Sequence, residues 1–220
     1  MTRRGSYAKG IAKREEILRS ALSVVAREGY HGASVKELAE EVGLSQAGLL
    51  HYFDSKEELF VEILRTRDTL DVDEHGDLFR GDIDELREAY LGLVRHNAEV
   101  PGLVELFTRL AADAANPQHP SREFFRERGE AMREGWTTAI AAEQAAGRVS
   151  DRIDPTDLAR LLQAVTDGAQ MQWLVEPELD MAALVDALFA LVAPAPASGG
   201  EAEAVRPVTE RRPLRPPPIR

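Results

Sequence analysis

Apolar residues in this chain recur three and four positions apart almost throughout, and no segment alternates apolar with polar as a half-buried strand would. That periodicity restricts the fold to packed helices. Residues 11–28 put Ile17, Leu18, Ala21, Leu22 and Val25 on one face, and Gly29 is a plausible stop. Ser34 opens a second, short helix with Glu37 three residues later as a capping box, and Val35, Leu38, Ala39 and Val42 form its apolar stripe. Gly43 ends that helix, Ser45 can cap a third to about Phe53, and Ser55 with Glu58 starts a fourth through Phe60, Ile63 and Leu64. Residues 71–82 read as an acidic connector. Asp82 and Glu85 cap a fifth helix to about Glu99, and Pro101 and Gly102 break the chain before a sixth over 103–115. After a second break at 116–120, a long helix carries Phe125, Met132, Trp136 and Ile140 on one stripe and ends at Gly147. Asp154 followed by Pro155 starts a helix to about Leu174, and Asp180 caps a last one bearing Met181, Leu184, Val185, Leu188 and Val192. The expectation is an all-α chain of about nine helices, a small N-terminal three-helix unit followed by a larger bundle.

Composition narrows the function classes. The 220 residues include no cysteine, so disulfides and thiolate metal sites are excluded and a reducing cytosol is the natural compartment. Arg3, Arg4 and Lys9 lead into a charged amphipathic segment rather than the apolar core of a signal peptide, and no apolar run is long enough for a bilayer. A soluble, cytoplasmic protein is expected. The net charge of −11 argues against a nucleic-acid partner until it is divided: residues 1–56 carry +2, residues 57–193 carry −15 and residues 194–220 carry +2. An acidic body repels phosphates, so any DNA surface belongs to the N-terminal end. From Pro194 onward the chain holds seven prolines and almost nothing that packs, the composition of a disordered tail.

The segment from Ser34 to Lys56 reads as a helix-turn-helix. Ala39 is small where two helices cross, Gly43 four residues later can take a left-handed turn, and Leu38, Val42, Leu44 and Leu49 are apolar where the motif needs an internal wedge. Any short helical hairpin has a glycine and some leucines, but the spacing together with two capping boxes is more demanding. The run VGLSQAGLLHYFDSKEELF, residues 42–60, resembles the signature of the TetR family of bacterial transcriptional regulators. His51, Tyr52 and Phe53 stand where that family has an aromatic pair closing a short recognition helix, and Ser55, Lys56 and Glu57 where it opens the fourth helix. The likeness covers about residues 10–62. Two positions depart from the pattern: Leu50 replaces a usual tyrosine and Gly48 a frequent threonine, both of which commonly face DNA.

The resemblance implies DNA contacts residue by residue. Gln46 would reach a base edge, since a carboxamide pairs bidentately with adenine, and Ala47 and Gly48 would permit close approach. Ser45 would cap the recognition helix beside them, and Leu50 would make that part of the readout apolar or leave it absent. Tyr52, Lys56, Ser34 and Lys36 resemble phosphate contacts, Lys36 with a possible base contact, and His51 faces either backbone or base. Arg3, Arg4 and Lys9 suit either a minor-groove arm or an unstructured basic start. Phe53 suits the core. The chain then divides into a flexible basic arm (1–9), a helix-turn-helix DNA-binding domain (10–56), an effector-binding and dimerisation domain (57–193) and a Pro/Arg-rich tail (194–220).

The body has no nucleophile–base spacing, phosphate loop or His-x-x-x-His helix, so neither a cofactor nor a metal nor an enzymatic activity is expected. Asp71, Asp73, His75, Gly76 and Asp82 echo a calcium loop, but histidine at a ligand position and aspartate for the bidentate glutamate argue against one. The resemblance implies an effector pocket and a dimer made by the last two helices. Pocket candidates are Phe107, Phe125, Met132, Trp136, Gln170, Met171 and Trp173, with His96 as a polar contact, although such stripes fill cores more often than they line ligand sites. Dimer candidates are Leu158, Leu162, Val165, Ala169, Leu184 and Leu188; Met171 and Leu174 lie on the opposite face of the same helix, which suits packing on both a core and a partner. The sequence thus supports a homodimeric, ligand-responsive repressor on a palindromic operator. Two alternatives remain: a helical small-molecule-binding or enzymatic protein with a helix-turn-helix-like N-terminus, and a co-regulator without an effector.

Overall fold

The computed structural model describes residues 3–75 and 79–193, and over these the chain forms nine helices and no strand: α1 (Arg3–Gly32), α2 (Val35–Glu41), α3 (Gln46–Leu49), α4 (Lys56–His75), α5 (Ile83–Glu99), α6 (Pro101–Asp113), α7 (Ser121–Ala145), α8 (Pro155–Trp173) and α9 (Met181–Val192). The proline-rich tail and the side chains of Arg3 and Arg4 lie outside the described residues.

Four boundaries differ from the sequence reading. The first helix begins at Arg3, inside the segment expected as a flexible arm, because nothing before Gly29 breaks it; there it kinks, with φ 70°. The third helix closes at Leu49 rather than near Phe53. Its last turn tightens, with the Tyr52 N–H donating to the Leu49 carbonyl at 3.0 Å, and the chain then turns Phe53 inward to 2% exposure. The fourth helix runs on to His75, taking up the start of the expected acidic connector, which has no breaker before Gly76. Pro101 opens α6 instead of separating it from α5, since a proline at the first helical position gives up an N–H that has no helical partner anyway.

Two apolar clusters hold the helices together. The first gathers Ile17, Val25, Leu38, Leu49, Phe53, Phe60 and Leu64 from α1 through α4, and it also takes in Leu103, Leu106 and Leu110 of α6. This core therefore runs across the expected domain division at residue 56. The junction is tight at Gly102, where a Cβ would lie 2.0 Å from the Val25 carbonyl oxygen. Beside it the Tyr30 N–H donates to Glu105 Oε2 at 3.2 Å. Arg14 adds ion pairs from α1 to Glu62 at 2.9 Å and to Glu58 at 3.6 Å on α4. The second cluster packs α5, α7, α8 and α9 around Leu86, Tyr90, Trp136, Leu162, Val185 and Phe189.

Candidate nucleic-acid interface and body cavity

The reading surface is built by caps and a turn. Ser34 Oγ accepts from the Glu37 N–H at 3.2 Å while the Glu37 carboxylate accepts from the Ser34 N–H at 2.8 Å, so the start of α2 is closed in both directions. Those hydrogen bonds also hold the Glu37 carboxyl below its ordinary pKa, the Ser34 backbone N–H contributing most. Gly43 then takes φ 67°, a conformation that side chains disfavour, and the Leu44 N–H donates back to the Ala39 carbonyl at 2.8 Å. That turn lays α3 across α2 with Leu38, Ala39 and Leu49 buried between them. Ser45 Oγ accepts from the Gly48 N–H at 3.0 Å and caps α3.

With Leu49 and Phe53 facing inward, the remaining residues of the α3 segment face out. Ser45, Gln46, Ala47, Leu50 and His51 are exposed, and Gly48 and Tyr52 are half-buried. Leu50 is an exposed large apolar side chain at 39%. Tyr52 leans on the first core and its ring lies 5.9 Å from that of His51, edge to face. Lys36 is exposed on α2, with only a loose pairing to Glu40 at 3.8 Å. Lys56, at the start of α4, sits with Nζ 5.3 Å from the Tyr30 ring centroid and 5.1 Å from that of Phe60. Those rings fix the ammonium where a cation–π contact favours it. The structure thus brings Gln46, Ala47, Leu50 and His51 onto one outward edge, flanked by Lys36, Tyr52 and Lys56. A small polar-apolar edge with amines and a phenol beside it is able to enter a major groove while donating to phosphates.

A cavity of about 40 Å³ lies inside the body between α4, α5, α6, α7 and α8. Phe107, Met132, Trp136 and Gln170 line it, as four of the eight residues expected there. The other four stand elsewhere: Phe125 packs against Phe107 and Phe124, His96 sits beside Glu99, Met171 is 59% exposed, and Trp173 leans on the second core. The polar lining, chiefly Arg67, Asn97, Arg128, Tyr90 and Thr166, lies outside the expected set. A signal existed, since Arg67 follows Phe60, Ile63 and Leu64 at helical spacing and Asn97 follows Tyr90 and Val94, each a polar residue on an apolar stripe. Arg67 donates to Asn97 Oδ1, and Arg128 Nε donates to the Asp68 carboxylate at 2.9 Å. Tyr90 Oη and Thr166 Oγ1 share a hydrogen bond of 2.9 Å, and burial pushes the Tyr90 phenol up to about 12. Burial likewise raises the Asp167 carboxyl, against the pull of Arg128.

The dimer candidates divide by burial. Leu158, Leu162 and Ala169 are enclosed in the chain's own second core and have no surface left for a partner. Val165 and Leu188 are partly buried against the same core, and Leu184 is exposed. The large apolar residues left exposed in these helices are Leu184, as expected, with Leu161, Met171 and Val175 on and just after α8 and Leu191 on α9.

Residues 17–63 match the family model described as bacterial regulatory proteins, tetR family. The chain is 43% identical over 54 residues to the HTH-type transcriptional regulator RutR of Escherichia coli, a match that covers 24% of this chain and 26% of that protein. It thus spans about a quarter of the length of that relative. Similarity to an HTH-type transcriptional repressor of Mycobacterium tuberculosis is lower, 29% over 162 residues, but extends over 71% of this chain and 80% of the repressor. The crystal structure of a TetR transcription regulator from Haloarcula marismortui superposes with a TM-score of 0.70 at 21% identity, covering 82% of this chain and 96% of the other. Among the described residues no helix is long and apolar enough to cross a membrane, and no cluster of three or more His, Asp or Glu side chains could hold a metal ion.

Proposed function

We propose that this chain, whose residues 17–63 match the model of the tetR family of bacterial regulatory proteins, is a member of that family and a sequence-specific DNA-binding transcriptional regulator, a ligand-responsive repressor that binds a palindromic operator as a homodimer. The observation that carries the reading is the outward edge of Gln46, Ala47, Leu50 and His51, held on a buried Leu49 and Phe53 and bordered by Lys36, Tyr52 and Lys56. Gln46 reads a base edge through its carboxamide. Leu50, with Ala47, offers an apolar contact of the kind a thymine methyl accepts, and Gly48 lets the backbone come close. Lys36, Lys56 and Tyr52 hold phosphates and set the register.

The exposed apolar residues Leu161, Met171, Val175, Leu184 and Leu191 support dimerisation through α8 and α9, the pairing of two helices from each subunit into a four-helix contact. A two-fold dimer then presents two recognition helices to successive major grooves roughly 34–36 Å apart. The body cavity is the effector site. It touches α4, whose first turns belong to the headpiece core, so a ligand that prefers one setting of α4 over another changes the separation of the headpieces and the affinity for DNA. The protein acts in the bacterial cytosol, by binding rather than by catalysis.

Selection of bound duplexes from a random DNA pool tests this reading. The expected result is enrichment of a two-fold-symmetric site bound by the dimer; recovery of no common sequence refutes it.

A further inference from the structure

The lining of the body cavity leaves two buried donors without a hydrogen bond among the described residues, and those donors define a class of ligand. Three guanidinium groups, from Arg67, Arg128 and Arg133, reach the lining together with the carboxylates of Asp71 and Asp167, and with Asp68 the formal charges are equal in number. Asp68 occupies Arg128 from the α4 side. Arg67 is only 8% exposed. Its Nη2 donates to Asn97, but its buried Nε has no hydrogen bond and meets an Asp71 carboxylate oxygen only at 3.5 Å. The indole N–H of Trp136 is a second buried donor without a hydrogen-bond partner among the described residues, and Gln170 Oε1 is an acceptor in the same condition. Desolvation lowers the Arg67 pKa in spite of Asp71.

An unpaired buried donor is costly, and a charged acceptor recovers more than a neutral one because charge-assisted hydrogen bonds are shorter and stronger. The remaining wall is aromatic and apolar. Trp136 stacks edge-on with Tyr90 at 5.1 Å, and Met132 and Phe107 adjoin them. In the present conformation the space of about 40 Å³ has room for little more than a water or two. Asp71, Leu93, Arg128 and Met132 separate it from an open groove of about 500 Å³ between α4 and α7, so parting those side chains joins the two volumes.

We propose that this cavity takes a small aromatic or short apolar monocarboxylate, with the carboxylate received by Arg67 Nε–H and the Trp136 indole N–H and the body of the ligand against Tyr90 and Met132. The assignment rests on the reading of the cavity as the effector site. An ammonium ligand would suit the rings but has no acceptor to offer and would leave both donors unpaired.

The chain has two tryptophans, so Trp173→Phe leaves Trp136 as the sole reporter, at a position away from the cavity lining. The full-length variant is titrated by fluorescence with benzoate, benzamide and benzylammonium. Benzoate is expected to perturb Trp136 and to bind roughly ten- to hundredfold more tightly than neutral benzamide. Arg67→Met, added to the same background, is expected to erase that preference, and Arg67→Lys to keep part of it. If Arg67→Met fails to fold, the benzoate-to-benzamide ratio and Arg67→Lys decide. Equal binding of the two probes, a preference for benzylammonium, or an unchanged preference in Arg67→Met overturns the carboxylate assignment while leaving an effector cavity. Absence of any response to all three probes overturns the assignment and the effector reading of the cavity together.

Discussion

Replacing Gly102 by alanine tests how the headpiece is held on the body. A Cβ at this position would lie 2.0 Å from the Val25 carbonyl oxygen and 2.9 Å from both the Ala26 oxygen and the Gly29 Cα, all of them backbone atoms. Carbon and carbonyl oxygen rest about 3.3–3.6 Å apart even in weak C–H···O contacts, so α1 and α6 must part by more than about 1 Å. That movement opens the packing around Leu103 and Leu106, both buried at the junction. Overfilling a packed core costs about 1–3 kcal/mol, and in a chain of this size each kcal/mol lowers Tm by about 2–4 °C. A fall of roughly 2–12 °C follows. Gly92 supplies the matched control: it lies within α5, and a Cβ there meets nothing within 4 Å. Gly92→Ala acts only through helix propensity and the unfolded chain and should raise stability by about 0.4–1 kcal/mol. Thermal and urea unfolding followed by circular dichroism compares the two. The reasoning is refuted if Gly102→Ala unfolds at or above the wild-type temperature, or if both variants shift in the same direction.

Three further outcomes are expected. Glu143, buried, accepts from Arg148 at 2.6 and 2.7 Å and from the Ile83 N–H at 3.0 Å, and the Arg148 hydrogen bonds chiefly hold its pKa low. Its contribution is therefore complete above the unfolded carboxylate pKa of about 4.3 and is lost as pH falls through the lower folded value. The urea midpoint of wild type should exceed that of Glu143→Gln at neutral pH and converge on it in acid; a gap independent of pH would contradict this. Met171→Glu combined with Leu191→Glu puts charge among the exposed apolar residues and should shift sedimentation toward the monomer without lowering Tm of the isolated fold, and an unchanged dimer would remove α8 and α9 from the interface. Lys56→Ala and Tyr52→Phe should weaken binding to matched and scrambled duplexes alike, whereas Gln46→Ala should chiefly alter sequence preference, at about 1–3 kcal/mol of discrimination. Equal affinities for all three variants in anisotropy titrations would undo the division of roles.

The headpiece was legible because its determinants are local. Ser34 with Glu37, Gly43 and Ser45 each act within four residues of themselves, and the caps and the left-handed turn stand where spacing put them. What depended on distant parts of the chain was not legible. The inward turn of Phe53 shortens α3, and the fit of Gly102 on Val25 draws α6 into the first core; neither leaves a mark on neighbouring residues. In α8 the hydrophobic period identified an apolar helix with two sides but not which side met the chain's own core, and Leu158, Leu162 and Ala169 turned out to be the inner one. In the cavity, Trp136 and Met132 are legible as members of an aromatic and methionine stripe, whereas Arg67 and Asn97 are not, because charged and polar groups on a helix ordinarily face water.

The central claim, that the α3 edge reads DNA in a dimer, is tested most directly by the affinity for the selected palindrome and for its scrambled counterpart across a salt series. The account predicts a clear preference for the palindrome at every salt concentration. It also predicts a linear fall of log K with log[salt], with a slope of about −0.9 for each phosphate neutralised. Equal affinity for the two duplexes, or affinity that does not change with salt, would contradict it.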